Sequence, residues 1–170
     1  MIEEVLRKYL EIKSIKELIE TPKPKGNYFL KKNNKKDFQL NKFFYKQIGK
    51  KYHWVDRLVW SDHDWIKYVS NCELSTFILK YDEEILGYFE LIFHKNKKES
   101  EIAYLGILEE YLGKKLGSFL LSEALKKSFG LGASRVWVHT CSLDHKNALK
   151  NYLSRGMSIF KSEKIIIKNN

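Results

Sequence analysis

In the first 20 residues, apolar side chains recur at Ile2, Val5, Leu6, Tyr9, Ile12, Ile15, Leu18 and Ile19 among charges. This spacing of three and four predicts an amphipathic helix over residues 2–20. The run Thr21-Pro-Lys-Pro-Lys-Gly26 breaks it, so residues 1–27 read as a helix and linker ahead of a domain over 28–170. Tyr28 to Lys31 reads as a short strand, and Lys42 to Gly49 and His63 to Ser70 read as helical.

From Ser75 the pattern sharpens. Ser75 to Tyr81 and Ile85 to Phe93 are rich in β-branched and aromatic residues and flank Asp82-Glu83-Glu84, as in a hairpin. Asn96-Lys97-Lys98 supplies the next turn, and Glu101 to Leu108 a third strand. Leu116 to Phe129 is helical with Leu116, Leu120, Leu121, Ala124 and Leu125 on its buried side, and Gly130 to Gly132 stops it. Arg135 to Thr140 is another strand. Asp144 caps a helix whose Ala148, Leu149, Tyr152 and Leu153 share a face, Gly156 ends it, and Ile159-Phe160 with Ile165 to Ile167 form a last hairpin. The order predicts a mixed α/β (α+β) domain, with no internal repeat.

With 170 residues, 44% apolar and 14% aromatic, the chain can bury a sizeable core, which argues against disorder. No apolar run reaches the roughly 18 residues of a membrane span, and Met1 to Leu10 carries acids where a signal peptide needs an apolar block. The expectation is a cytoplasmic protein with no membrane partner. Cys72 and Cys141 then read as free thiols. The formal charge of +10 suits a polyanionic partner, namely nucleic acid, a membrane surface or a phosphorylated cofactor. Its lysine runs, such as Lys35-Lys36 and Lys97-Lys98, lack regular aromatic interleaving and read as solvated surface rather than a nucleic-acid stripe.

The most informative segment joins a strand to a helix: Ile107-Leu-Glu-Glu-Tyr-Leu-Gly113-Lys-Lys-Leu-Gly117-Ser118. The first N–H groups of a helix lack partners and carry the positive end of its dipole, and glycine lets a phosphate approach the backbone. The spacing matches neither a P-loop nor a dinucleotide fingerprint.

This stretch, with Glu101-Ile-Ala-Tyr-Leu-Gly106 before it, resembles the acetyl-CoA motif of the GNAT superfamily, [Gln/Arg]-x-x-Gly-x-[Gly/Ala] after a strand. Asn147-Ala148 with Tyr152 and Gly156-Met157 resembles that family's closing helix. Trp54-Val-Asp-Arg-Leu-Val-Trp60, Gly87-Tyr-Phe-Glu90 and Val136-Trp-Val-His-Thr-Cys-Ser-Leu-Asp-His145 resemble a bacterial subgroup. The departures are Leu112 for Gln or Arg, Lys115 for Gly, His145 for Asn and Met157 for Phe; Lys115 is tolerable if its φ is helical.

The resemblance implies a GNAT-like fold: a central, mostly antiparallel sheet flanked by helices, with splayed central strands binding acetyl-CoA as co-substrate. It places acetyl-CoA along Leu105, Ile107 and Leu108 and on the turn of Leu112, Gly113, Lys114, Lys115, Leu116, Gly117 and Ser118, with Asn147 nearby. It implies an N-acetyltransferase that acts on a primary amine, a small molecule rather than a protein, by direct attack. An alkylamine with a pKa near 10.4 is protonated at neutral pH, so a base or a water chain is needed. Glu101 falls at the family's place for it, with Glu90 or water as alternatives. A backbone N–H near Leu105 to Ile107 would face the thioester oxygen, and Tyr152 would protonate the leaving thiolate, unless it is a core tyrosine.

Trp54, Asp56, Arg57, Trp60 and Glu90, with Trp65, are candidates to line the acceptor site, and a packed aromatic cluster explains the rings equally well. His139, Cys141 and His145 have a spacing a zinc site could use, but no second Cys pair accompanies them and no metal is expected. Two rival readings are a non-catalytic acyl-CoA-binding module, with Leu112 and Lys115 marking a drifted site, and a basic nucleic-acid-binding domain. A homodimer is left open.

Overall fold

The N-terminal segment forms a strand, not the helix its spacing predicts. The computed structural model describes residues 2–168. Strand β1 (Ile2–Ile12) is hydrogen-bonded on both sides, to β6 (Arg135–Cys141) and β7 (Ser158–Lys168), both antiparallel. Of the predicted helical stripe, Val5 and Ile12 are buried, whereas Ile2, Leu6, Ile15 and Ile19 are exposed. A helix would bury that stripe on one side only. Strand β7 instead pairs with Ile2 to Glu11 and β6 with Arg7 to Ile12, and that backbone pairing overrides the periodicity.

The last hairpin is corrected for a related reason. Ile159, Phe160 and Ile165 to Ile167 lie on one continuous strand, because Lys161-Ser-Glu-Lys164 offers no glycine, proline or asparagine to reverse the chain. A register shift between Tyr9 and Leu10 lets β7 follow β1 for its whole length.

The remaining strands are β2 (Tyr28–Lys32), β3 (Leu74–Tyr81), β4 (Glu84–His94) and β5 (Glu99–Ile107). All seven form one sheet in the order β2-β3-β4-β5-β6-β1-β7. Every neighbouring pair is antiparallel except β5 and β6, so the domain is mixed α/β with a mostly antiparallel sheet.

Four helices cover it: α1 (Phe38–Gly49), α2 (Asp62–Val69), α3 (Leu116–Gly130) and α4 (Ala148–Ser154). Helix α3 buries Leu116, Leu120, Leu121, Ala124 and Leu125, as its pattern predicts, against Leu10, Ile12, Leu91, Val136 and Val138. On the opposite face, α1 packs Phe44 and Ile48 against Ile78 and Tyr88. Alternation along β3 and β4 makes this possible, with Phe77 and Phe89 facing α3 and Ile78 and Tyr88 facing α1. Helix α4 ends at Gly156, whose φ is +101° and where an added Cβ would lie 2.1 Å from the Glu17 carbonyl oxygen. Only glycine fits there. No helix of the described residues is long and apolar enough to cross a membrane.

Candidate functional site

Strands β5 and β6 stay in register over only three pairs, Glu99 with Arg135, Ser100 with Val136 and Glu101 with Trp137. Beyond them, β5 continues beside β4 and β6 beside β1, and the two diverge. A bulge at Ala103, between the pairs Glu90 with Tyr104 and Leu91 with Ile102, bends β5 at the point where they separate. The splay opens a cleft of about 850 Å³ and leaves the β6-facing edge of β5 without a strand partner over Leu105 to Ile107.

The N-terminus of α3 closes one end of the cleft. No side chain caps it, so its first N–H groups point outward unpaired. Gly117 offers no side chain to block the approach, since even an added Cβ would meet only Asn151 Nδ2, at 4.0 Å. Asn151 donates to the Gly117 carbonyl at 3.2 Å and ties α4 to this first turn. Gly113 has φ +84°, which glycine adopts freely.

Lys115 does not have the helical φ that would make it tolerable in place of glycine. It stands at φ +59°, the left-handed region. That conformation costs a residue with a Cβ about 1–2 kcal/mol. Lys115→Gly is therefore expected to raise stability by about 1 kcal/mol, read as a rise of about 2–4 °C in Tm. An unchanged or lower Tm would mean that the lysine side chain offsets the strain.

Of the predicted cofactor residues, Leu105, Ile107, Leu112, Gly113, Lys115, Leu116, Gly117, Ser118 and Asn147 line the cleft, as does Tyr152. Leu108 is buried in the α1 cluster instead, and Lys114 reaches toward the Tyr111 ring, 5.8 Å away. Burial, and then the charge of Asp144, push the Tyr152 phenol well above its usual range, so it stays protonated.

The predicted acceptor residues divide into two groups. Trp54 and Asp56, on the segment between α1 and α2, line the cleft. Arg57, Trp60 and Glu90 do not: Arg57 and Glu90 are buried behind it, with the half-buried Trp60 ring beside them. Arg57 Nη1 donates to Glu90 Oε1 at 2.9 Å and Oε2 at 3.2 Å, and Nη2 donates to Tyr68 Oη at 2.8 Å. The rings of Tyr45, Trp60, Trp65, Tyr68 and Tyr104 surround the guanidinium at 4.1–5.6 Å. Burial pulls the Arg57 pKa down, but Glu90 first and the surrounding Tyr68, Tyr104 and Tyr88 after it together outweigh burial, so the guanidinium stays charged. The two charges satisfy each other and are unavailable to a ligand. Glu101 also falls outside the lining, where its Oε2 meets His94 Nε2 at 3.3 Å.

Three cleft residues escaped the sequence reading as acceptor-side groups: Arg7, Tyr52 and His139. His139 pairs with Tyr9 in the sheet, and their rings lie 5.6 Å apart on the face away from α3. Burial, and then the charge of Arg7, pull its pKa below the ordinary value of 6.5, so the imidazole is neutral at neutral pH. The sequence singled out His139 only within the Val136 to His145 motif and a metal-like spacing; the alternation Trp137, His139, Cys141 puts it opposite the core-facing Val136 and Val138. Asp144, expected as a helix cap, accepts from Thr140 Oγ1 at 2.5 Å and from the Cys141 N–H at 3.0 Å. It shapes the end of β6, and α4 begins only after Asn147. Burial, followed by Asp144, raises the pKa of the Cys141 thiol, which disfavours it as a nucleophile. Among the described residues no three His, Cys, Asp or Glu side chains gather as metal ligands.

Comparison with known proteins places this architecture. The family described as "Acetyltransferase (GNAT) family" matches residues 38–157. No curated protein sequence matches the chain. A conserved protein of unknown function from Staphylococcus epidermidis superposes with a TM-score of 0.64 at 15% identity, over 99% of this chain and 64% of its own. A GCN5-related N-acetyltransferase from Sphaerobacter thermophilus gives 0.67 at 12% identity, over 95% and 50%. An aminoglycoside acetyltransferase from an uncultured soil metagenomic sample, solved with trehalose, gives 0.62 at 13% identity, over 76% and 87%. The chain thus spans between half and two thirds of the first two structures.

Proposed function

This chain belongs to the GNAT family of acetyltransferases, and from that premise we propose that it moves an acetyl group from acetyl-CoA to a small primary amine by direct attack. The observation that carries the reading is the divergence of β5 from β6 in front of the uncapped N-terminus of α3. The residues fit the co-substrate: unpaired N–H groups and the bare backbone of Gly117 suit a pyrophosphate, and the free edge of β5 at Leu105 to Ile107 suits an amide-bearing arm. When bound, acetyl-CoA supplies the thioester.

The chain's own groups then divide the work. His139, neutral and open to the cleft, accepts the proton from the amine. Glu101 acts through His139, since its carboxylate favours the protonated imidazole. The Tyr152 phenol, kept protonated by burial, donates to the departing thiolate. Trp54 and Tyr104, edge to face at 4.6 Å, form the wall that orients the acceptor.

The test is binding followed by turnover. Acetyl-CoA at about 100 times its Kd should add ~2.7 kcal/mol of stability, a clear rise in Tm. Gly117→Glu, which puts a carboxylate where the phosphates would sit, should remove that rise. A panel of amines with acetyl-CoA should release free thiol, which separates a transferase from a binding module. The reading fails if Gly117→Glu keeps the full rise, or if no amine supports thiol release.

A further inference from the structure

We infer that the acceptor carries an anionic group beside its amine, a carboxylate or a phosphate, which Arg7 receives while Asp56 takes the ammonium. This rests on the reading of the cleft as the transfer site.

Arg7 lies on β1 and lines the cleft. Its register partner on β6 is Cys141, so it shares a sheet face with Tyr9 and His139, whereas α3 packs on the opposite face against Leu10, Val136 and Val138. It therefore stands on the acceptor side rather than beside the helix N-terminus. Its Nε is buried without a hydrogen-bond partner, although its charge reaches the Glu163 carboxylate on β7. Burying an unpaired charged N–H is unfavourable, so the site is incomplete as it stands.

The acids nearby are already engaged. Glu163, its partner on β7, accepts from Tyr9 Oη at 2.5 Å and pairs with Lys161 at 3.2 Å. Asp144 holds Thr140 and the Cys141 N–H. A planar guanidinium whose Nε–H is unpartnered matches a carboxylate or phosphate better than any other partner. Asp56, exposed on the segment after α1, lines the same cleft and suits the ammonium. The charges of Arg7 and Asp56 both reach His139, so cation, anion and base surround one place. An acceptor that is a simple polycation would meet repulsion from Arg7 instead.

The test uses pairs that differ in the anion: alanine against alaninamide, and phosphoethanolamine against ethanolamine, with spermidine as the polycation. Binding is read by calorimetry on the CoA-saturated protein and turnover by thiol release with acetyl-CoA. The anionic member of at least one pair should bind about 10- to 100-fold tighter, the size of a charge-assisted hydrogen-bonded contact. Which pair shows it distinguishes carboxylate from phosphate. Arg7→Gln should erase the preference while the rise in Tm with acetyl-CoA persists, and Arg7→Lys should retain part of it. Equal or tighter binding of alaninamide, ethanolamine and spermidine, with that rise intact, overturns the inference. So does a preference that survives Arg7→Gln. Loss of the acetyl-CoA response in the parent protein removes the transfer-site reading itself, a result the melting curves report separately.

Discussion

His139→Gln should lower kcat by about 10²- to 10⁴-fold, the range for loss of a positioned general base. The change keeps a polar side chain of similar reach, so the melting curve and the response to acetyl-CoA should be nearly unaltered. The pH profile is more diagnostic. Burial and Arg7 hold the His139 pKa below 6.5, so the neutral, proton-accepting form persists to that lower pH and is lost only as pH falls through it. The parent's kcat/KM should therefore drop on an acidic limb below 6.5, and the variant should lack that limb. Its residual rate should climb with pH, because the amine itself becomes deprotonated. Glu101→Gln makes an opposing prediction. Removing a carboxylate that favours imidazolium should push the limb lower still, with only a modest loss of rate near neutral pH. Should Glu101→Gln cost more than His139→Gln, the base is Glu101 and the assignment made here is wrong.

Arg57→Leu is expected to destabilise the fold by about 3–5 kcal/mol, because it leaves Glu90, wholly buried, with no cation. For a chain of 170 residues this corresponds to a fall in Tm of about 10 °C. Glu90→Gln should cost a similar amount from the other side, since the guanidinium would then lie among five aromatic rings with a neutral amide as its only partner from β4. The pair also anchors the segment that carries Trp54 and Asp56, because the Arg57 N–H donates to Tyr45 Oη at 3.0 Å and the Tyr45 ring meets Trp54 and Tyr104. Weaker acceptor binding should accompany the lost stability. Replacing both charges together by apolar residues of similar volume should restore most of the stability, as is often found for buried pairs. Urea titrations of the two single variants and the double variant decide the matter. A single variant as stable as the parent would show that the pair is not the buried anchor described.

Local pattern was enough wherever one segment could satisfy itself. Helix α3 was legible because five apolar residues recur at helical spacing and glycines follow them, and the β3 to β5 meander because β-rich runs alternate with turn residues. The strand-to-helix join was legible too, since Gly113 and Gly117 serve a purpose of the local backbone. Local pattern thus set the mixed α/β class, the central strands and helix, and the glycine-bearing turn ahead of α3. Elsewhere a residue's meaning depended on its neighbours in space. Residues 2–12 carry a helical period, yet form a strand because β6 and β7 lie on either side of them. Glu90 and Arg57, 33 positions apart, looked like acceptor ligands until the fold placed each as the other's partner. Arg7 belongs to no motif, and the motif that holds His139 says nothing of an acceptor; the pairing of β1 with β6 brings the two to one face of the cleft, beside the loop that holds Asp56. Only the tertiary structure could decide these, because hydrogen bonds between strands and pairing between buried charges are made across the chain, and no local spacing records which distant residue will complete them.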